Sequence, residues 1–287
     1  MHRFILHNDS VYEASETTLA AGQTGLLTGW GVFSTIRVMD EVLFAWERHW
    51  ARMTRDAKLL RVPMPTDPEA VKMNLHRLIE ANDAANSTLR LSVVRNAGGT
   101  WSGPASGRDC DVIAFTASPR AWGAGGRLTC VAQARHAACV FAGTKILAWA
   151  MNLTWLEEAQ SRGFDEALLL NERGEVSECT SANIFIAEGR QVYTPPLASG
   201  CLPGITRELL LGEIHVAGYR VNEKTLFPAD LEAADEVFIT STTRELLAVN
   251  EIDGRPIRNS GGARQALGTA FQDYENAYVR TRLAVSR

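Results

Sequence analysis

The sequence predicts a mixed α/β protein built from two domains. Three observations support this fold class. The first half of the chain alternates short apolar and β-branched runs with two segments of helical periodicity. A stretch rich in Gly, Pro and small residues at 117–126 interrupts this pattern, which then restarts. Finally, the chain has 287 residues, which is long for one hydrophobic core and sufficient for two.

The first half contains the elements of a sheet covered by two helices. Apolar and β-branched runs predict five strands, at 3–7, 32–38, 42–46, 89–94 and 111–116. Helical periodicity predicts helices at 46–61 and 67–82, and the second has Pro68 in its first turn. Gly and Ser dominate 96–107, which indicates a loop.

The second half mixes strands and helices without strict βαβ alternation. The predicted strands lie at 128–134, 166–170, 184–187, 192–194 and 236–239. The predicted helices lie at 152–162, 204–218 and 262–282. We therefore expect a smaller N-terminal domain at 1–117, an interdomain linker at 118–126, and a larger C-terminal domain at 127–287.

The composition excludes several classes of protein. Hydrophobic residues make up 46% and charged residues 22% of the chain, as in ordinary globular proteins. The net charge of -4 argues against a general nucleic-acid-binding protein. No apolar run reaches the roughly 18 to 20 residues that span a bilayer, and the N-terminus lacks the apolar core of a signal peptide. Five scattered cysteines fit a reducing compartment, so we expect a cytoplasmic protein.

Several common catalytic and binding motifs are absent from the sequence. No Gly-rich dinucleotide fingerprint or P-loop occurs, which removes the usual support for nucleotide binding. The H-E-x-x-H motif of zinc proteases and the G-x-S-x-G elbow of hydrolases are also missing. Because the six histidines are spread along the chain, no metal site is expected.

The use of lysine singles out one residue. Only four of the 29 basic residues are lysine, and Lys58, Lys72 and Lys224 lie among charged or polar neighbours. Lys145 lies in the stretch VFAGTKILAWAM at 140–151, which carries no other charge. Burial disfavours the charged ammonium and favours a nucleophilic amine, which suits a Schiff base with an aldehyde. A lysine with a buried stem and a solvent-exposed head fits the same pattern.

Three further segments carry polar groups in positions suited to a ligand. Glu178 ends a predicted strand, where a carboxylate either accepts a hydrogen bond from a protonated ring nitrogen or faces water. A Gly-containing turn leads into the helix that starts near Thr206, and free N–H groups there either bind phosphate or receive an ordinary cap. The four hydroxyl residues at 240–243 (TSTT) either cradle a phosphate or form a simple turn.

The order of these segments resembles the class IV aminotransferases, which are pyridoxal 5'-phosphate (PLP) enzymes of fold type IV. The resemblance covers residues 26 to 257, and its most specific parts are 178–185 (ECTSANIF) and 202–207 (LPGITR). Known members are branched-chain aminotransferases, D-amino-acid aminotransferases and aminodeoxychorismate lyases. The resemblance implies a D-amino-acid aminotransferase-like fold, with the cofactor in the cleft between two α/β domains. It also implies a homodimer in which the partner chain completes the substrate pocket.

The resemblance implies a role for each matching residue. Lys145, in the C-terminal domain, would form the Schiff base with PLP and then move a proton between substrate Cα and cofactor C4′. Glu178 would keep the pyridine nitrogen protonated, so that the ring withdraws electrons. Leu202 would pack on the ring face. The phosphate would be bound by Ile205, Thr206, Ser241, Thr242 and, from the first domain, Arg52. A surface charge on its helix is the alternative interpretation of Arg52.

The sequence departs from the family pattern at two places. Ser34, in GVFS at 31–34, stands where many members carry Glu. Ala148 and Trp149 stand where branched-chain enzymes commonly carry a Tyr near the phenolic oxygen of the cofactor, and an indole can only donate a hydrogen bond. The candidate residues of the substrate pocket are Phe33, Arg95, Trp149 and Thr243.

We expect the chain to catalyse transamination between an amino acid, foremost a branched-chain L-amino acid, and a 2-keto acid. The markers of the subfamilies disagree, because Arg95 followed by Gly98 and Gly99 resembles the lyases. The loop at 96–107 also lacks the Arg and His that D-amino-acid enzymes use. The alternatives are therefore an aminodeoxychorismate lyase that eliminates pyruvate and, after it, a D-amino-acid aminotransferase. A non-enzymatic metabolite-binding module is disfavoured, because Lys145, Glu178 and Arg52 are all present.

Overall fold

The computed structural model describes residues 1–20, 22–99 and 107–285. The chain divides into two compact units. The first comprises Met1–Arg120, Lys145–Trp149 and the chain from Tyr278 onward, and the second comprises Ala121–Thr144 and Ala150–Ala277. The predicted loop at 96–107 falls largely outside the described residues, since 100–106 are not among them.

The first unit contains a six-stranded antiparallel sheet. Its strands are β1 (Phe4–His7), β2 (Ser10–Glu13), β3 (Gly31–Met39), β4 (Val42–Leu43), β5 (Ser87–Arg95) and β6 (Cys110–Ala117). They are ordered β2-β1-β6-β5-β3-β4 across the sheet. Its helices are α1 (Thr24–Thr28), α2 (Trp46–Leu60) and α3 (Pro68–Ala81). The side chain of Asp67 caps α3 by accepting from two backbone N–H groups at 3.0 Å.

Alternation along β3 decides which side chains enter the core of the first unit. Val32, Ile36 and Val38 are buried in one apolar cluster together with Met53 of α2 and Leu75 of α3. Successive side chains of a strand point to opposite faces, so the odd-numbered residues of β3 point away from this cluster. Phe33 therefore lies on the face of the sheet opposite this apolar cluster.

The second unit contains a nine-stranded mixed sheet. Its strands are β7 (Gly126–Arg135), β8 (Glu166–Asn171), β9 (Val176–Cys179), β10 (Asn183–Glu188), β11 (Gln191–Thr194), β12 (Arg220–Glu223), β13 (Glu236–Ser241), β14 (Glu245–Ile252) and β15 (Arg255–Pro256). The order across the sheet is β12-β11-β10-β13-β14-β7-β8-β9, and β15 pairs with β14. Its helices are α4 (Ala150–Ser161), α5 (Ile205–Gly212), α6 (Pro228–Ala233) and α7 (Ala263–Val285), and α7 continues into the first unit.

The predicted α/β fold class is confirmed, and several boundaries differ from the prediction. The strand expected at 42–46 stops at Leu43, because the chain turns through Ala45, at φ 52°, into α2. The helix expected at 204–218 ends at Gly212, where Ile214 N–H donates to Leu209 O at 2.8 Å, five residues back instead of the four of an α-helix. None of the helices in the described part of the chain is long and apolar enough to cross a membrane.

Residues 145–149 are placed differently from the sequence-based boundary. They lie beyond the predicted linker at 118–126, yet they join the first unit rather than the second. The reason is an antiparallel bridge between Val32 of β3 and Ile146, which extends the first sheet at the start of β3. The predicted nucleophile, Lys145, is therefore part of the first unit.

Candidate active site

Lys145 is held at its position by backbone hydrogen bonds. The N–H of Phe33 donates to Lys145 O at 3.1 Å, and the N–H of Lys145 donates to Asp56 Oδ2 on α2 at 3.0 Å. Leu147 N–H donates to Gly31 O at 3.0 Å. A Cβ at Gly31 would lie 2.5 Å from the backbone oxygen of Val93 on the neighbouring strand, so only glycine fits at this position. The backbone of Lys145 is thus fixed, and only side-chain torsions remain to move its amine.

Two aromatic rings flank the half-buried side chain of Lys145. Its Nζ lies 4.5 Å from the centroid of Phe33 and 4.9 Å from that of Trp149. The two rings meet edge to face, with their centroids 5.3 Å apart. Both rings were predicted to lie in the substrate pocket, and the structure places both beside Lys145. They give the amine an apolar surrounding on two sides.

Arg90 also contacts the ring of Phe33, although it was not among the residues predicted from the sequence. Residue pairing between β3 and β5 joins Thr35 to Arg90 and Phe33 to Ser92, so Arg90 and Phe33 are diagonal neighbours on one sheet face. The guanidinium carbon of Arg90 is 3.5 Å from the centroid of Phe33. Burial lowers the pKa of Arg90 to about 10, so the group stays charged at neutral pH. No carboxylate among the described residues pairs with it.

Arg95, at the end of the same strand, has a different environment. Its Nε donates to Ala97 O at 2.6 Å, and its Nη1 donates to Arg61 O at 2.5 Å, at the end of α2. Its guanidinium stacks on Trp30 at 4.2 Å. These hydrogen bonds connect the backbone of Ala97, just after β5, to the end of α2. Of the two arginines on β5, the structure therefore brings Arg90, and not the predicted Arg95, to the ring that contacts Lys145.

Arg52 is buried on α2 and contacts Ser34. Its Nη2 donates to Ser34 Oγ at 2.9 Å, and Ser34 also bonds to His49 Nδ1 at 2.7 Å. Arg52 is 8% exposed, which excludes the alternative of a surface charge. The residue that replaces the usual Glu of the family is thus a direct partner of the predicted phosphate-binding arginine.

Glu178 is the centre of a polar network in the second unit. It lies on β9, where it accepts from Arg135 Nε at 3.2 Å and from Leu202 N–H at 3.0 Å. Arg135 Nη1 in turn donates to Asn152 Oδ1 at 3.2 Å, and Asn152 Nδ2 donates to Thr180 O at 2.6 Å. These donors fix the orientation of the carboxylate. Arg135 carried no recognisable signal in the sequence, because it only ends an ordinary strand.

The turn before α5 presents backbone N–H groups. Gly204 is the N-cap of α5 and supplies no side-chain cap, and the first N–H groups of any helix lack a helical acceptor. Asn183 Nδ2 donates to Leu202 O at 2.8 Å and holds the turn in place. A Cβ at Gly204 would collide with Asn183 Oδ1, so this contact requires glycine. The N–H groups of Ile205 and Thr206 are therefore suited to an anion.

The hydroxyl residues at 240–243 lie close to this turn in the second unit. Asn183, which holds the turn before α5, is directly paired with Thr240 across β10 and β13. The Oγ1 of Thr240 is buried and has no hydrogen-bond partner in the part of the chain that the structure describes. Ser241 Oγ accepts from Arg244 N–H at 3.2 Å, which closes the turn that contains Thr242 and Thr243. Two segments predicted to bind phosphate therefore meet where β10 begins and β13 ends.

A buried ion pair supports the turn at 241–244. Arg244 Nη2 donates to Glu166 Oε2 at 3.0 Å, and both side chains are nearly inaccessible. Glu166 also accepts from the hydroxyls of Thr180 and Ser181, which directly follow the strand that carries Glu178. The pair therefore connects the hydroxyl turn with the segment after Glu178. Breaking a buried pair leaves an uncompensated charge, so this connection is costly to break.

The predicted residues thus form two groups, one in each unit. The first holds the predicted Lys145, Phe33 and Trp149, with Arg90, which was not predicted, on the ring of Phe33. The predicted Arg52 belongs to the same unit and contacts Ser34, which points to the opposite face of β3 from Phe33. The second combines a fixed carboxylate, a helix N-terminus and a hydroxyl turn: Glu178, Leu202, Ile205, Thr206, Ser241, Thr242 and Thr243. The first group offers a nucleophile and cations for carboxylate or phosphate. The second offers an acceptor for a protonated ring nitrogen and donors for an anion.

Comparisons with known proteins assign the chain to a family of aminotransferases. The family model for amino-transferase class IV matches residues 31–252. A putative branched-chain-amino-acid aminotransferase of Methanocaldococcus jannaschii is 32% identical, over 93% of this chain and 94% of the relative. A D-alanine aminotransferase of Bacillus licheniformis is 30% identical, over 94% and 96%. The solved branched-chain aminotransferase of Thermoproteus uzoniensis with norvaline has a TM-score of 0.84 at 26% identity, over 95% of this chain and 94% of that one.

Proposed function

Because the chain belongs to the amino-transferase class IV family, we propose that it transfers an amino group between an amino acid and a 2-keto acid with PLP as cofactor. We further propose that the preferred amino acid is a branched-chain L-amino acid. The observation that carries the proposal is the amine of Lys145, fixed by its backbone between Phe33 and Trp149, with Arg90 on the same ring. This arrangement combines a nucleophile for an aldehyde, an apolar wall and a cation for a carboxylate.

The residues of each unit fit PLP. In the first unit, Lys145 would bind the aldehyde carbon and Arg52 the phosphate. In the second unit, Glu178 would accept the proton of the pyridine nitrogen, and Leu202 would pack on the ring. The phosphate would also be bound in the second unit by Ile205, Thr206, Ser241 and Thr242. The buried Thr240 Oγ1, which lacks a partner among the described residues, supports a polar ligand at this end of β13.

The chemistry of the reaction depends on a few groups of the chain. When bound, PLP supplies an electron sink for the bond that breaks at the substrate Cα. Lys145 Nζ would take the proton from the substrate Cα and deliver it to cofactor C4′, which requires a neutral amine within reach of both atoms. The rings of Phe33 and Trp149 would exclude water from this proton. Glu178, oriented by Arg135 and the Leu202 N–H, would keep the ring nitrogen protonated.

Two observations support a branched-chain substrate: the substrates of the relatives, and the aromatic rings that flank Lys145. The relatives named above include enzymes for branched-chain amino acids and for D-alanine. Aliphatic side chains fit a pocket lined by Phe33 and Trp149. An assay with L-leucine, L-valine or D-alanine and 2-oxoglutarate as acceptor decides between the two donor classes. The lyase alternative predicts instead that pyruvate forms from aminodeoxychorismate without any keto acid.

We expect Arg90→Met to impair dicarboxylic substrates selectively. A half-buried guanidinium without a counter-ion among the described residues costs free energy unless a ligand carboxylate pairs with it. Branched-chain donors carry no side-chain carboxylate, whereas glutamate and 2-oxoglutarate do. The KM for glutamate and 2-oxoglutarate should rise roughly 10- to 100-fold, while the KM for leucine changes little. Steady-state kinetics with both substrate pairs measures the difference.

The matched control for this variant is Arg95→Met, since Arg95 lies on the same strand and also stacks on an aromatic ring. It should leave the ratio between dicarboxylic and aliphatic substrates unchanged. An equal rise of KM for both substrate classes in Arg90→Met would assign Arg90 to the α-carboxylate instead. No rise in either KM would exclude Arg90 from substrate binding.

We also propose that the protein is a homodimer. The second unit exposes apolar side chains at a turn and along α4, among them Val140, Phe141, Met151 and Leu153. Val140 and Met151 are each 70% exposed, and large exposed apolar groups mark interaction surfaces.

Light scattering should give about twice the chain mass of 31.4 kDa, and Val140→Asp should shift the protein toward monomer. Met73→Asp, at a similarly exposed residue of α3, should not. A wild-type monomer would contradict the proposal.

We place the enzyme in the cytoplasm on the basis of its cysteines. All five are free thiols, as is usual in a reducing compartment. Burial raises the pKa of Cys201 to about 12, so this thiol stays protonated and offers no competing nucleophile.

A further inference from the structure

Ser34, His49 and Arg52 form a buried polar cluster between β3 and α2. Ser34 lies on the face of β3 that carries Val32 and Ile36, and this face packs against α2. His49 and Arg52 are three residues apart on α2, so they lie on the same side of the helix. Ser34 is 0%, His49 1% and Arg52 8% exposed. Three polar side chains are therefore removed from water together.

The hydrogen bonds of the cluster run through the hydroxyl of Ser34. Arg52 Nη2 can only donate, so Ser34 Oγ accepts this bond at 2.9 Å. Burial, together with the positive charges of Arg52 and Lys145, holds the pKa of His49 well below its usual range. His49 is therefore neutral, and the Ser34 hydroxyl can donate its proton to Nδ1 at 2.7 Å. In this arrangement one hydroxyl connects a neutral imidazole to a guanidinium.

We propose that Ser34 and His49 are positioning residues that direct Arg52 toward the phosphate of the cofactor. This inference rests on the proposed binding of PLP. The helix fixes the backbone of Arg52, but its long side chain has many rotamers, and the bond to Ser34 restricts the direction of the guanidinium. A serine also carries no charge, so this contact does not neutralise Arg52, whereas a carboxylate at the same position would. The departure from the family pattern at Ser34 thus places a neutral hydroxyl in direct contact with Arg52.

The test compares the affinities of the cofactor-free protein for PLP and for pyridoxal, which lacks the phosphate, by quenching of tryptophan fluorescence. Ser34→Ala should weaken PLP binding about tenfold, as expected for one lost hydrogen bond to a charged group, and leave pyridoxal binding unchanged. Ser34→Thr keeps the hydroxyl and should recover most of the loss. The matched control is Ser87→Ala, because Ser87 is equally buried on β5 and its Oγ has no partner among the described residues.

Failure of PLP binding and failure of the positioning role would give different results in this experiment. A wild-type protein that binds neither compound would contradict PLP dependence itself. If the wild type binds PLP and Ser34→Ala binds it equally well, the positioning role is wrong. The same conclusion follows if Ser34→Ala weakens PLP and pyridoxal to the same degree, because that result indicates general damage rather than loss of a phosphate contact.

Discussion

Lys145→Ala is expected to remove both the lysine-bound PLP and the turnover of the enzyme. Without this amine, the site beside Phe33 and Trp149 loses the group that would bond to the aldehyde carbon and move the proton from the substrate Cα. Loss of a nucleophile that is also the acid–base group should lower kcat by about 10³-fold or more. The measurements are the absorbance of lysine-bound PLP and single-turnover kinetics with the best amino-acid donor.

Controls distinguish loss of chemistry from loss of structure in this variant. Lys58→Ala removes an exposed lysine from α2 in the same unit and should leave both the absorbance and kcat unchanged. The fixed backbone of residues 145–147 does not depend on the lysine side chain, so Lys145→Ala should keep its thermal stability. Full activity in Lys145→Ala would eliminate the mechanism.

Glu178→Gln should retain the cofactor and lose most of the activity. The amide can still accept from Leu202 N–H, but it cannot hold a proton on the pyridine nitrogen as a carboxylate does. Its NH₂ group also lies against the donor Nε of Arg135. We expect kcat to fall on the order of 10²-fold, as when one preorganised electrostatic contact is removed. The measurement is kcat together with the stoichiometry of bound PLP.

A neighbouring carboxylate provides the control for Glu178. Glu175 also accepts from an arginine, since Arg173 Nη2 donates to it at 2.8 Å, and this pair lies in the same unit. Glu175→Gln should change thermal stability more than kcat. Unchanged kcat in Glu178→Gln would show that the ring nitrogen does not depend on this residue.

Much of the fold and part of the site could be predicted from local sequence. Periodicity located α2 and α3 to within a few residues, because each has one apolar face and the second has a proline in its first turn. Lys145 could be singled out because arginine replaces lysine almost everywhere else in the chain. The class IV family was predicted from the order of the segments around Glu178 and Thr206, and it is confirmed.

Features that depend on strand register could not be predicted in the same way. The bridge that joins Ile146 to Val32 connects segments far apart in the chain and leaves no local pattern. Arg90 was missed for the same reason, because only the pairing of β3 with β5 places it diagonally across from Phe33. Arg95 stood out in the sequence through the glycines that follow it, although its guanidinium binds backbone carbonyls.

The most direct test of PLP-dependent transamination through Lys145 is the absorbance spectrum of the purified protein, recorded before and after single amino acids are added without an acceptor. The donors are L-leucine, L-valine, L-glutamate, D-alanine and (R)-phenylethylamine. We expect an absorbance band of lysine-bound PLP that L-leucine and L-valine convert to the band of pyridoxamine phosphate. A band that no donor converts would favour the lyase, and the absence of any lysine-bound PLP after addition of the cofactor would contradict the assignment of Lys145.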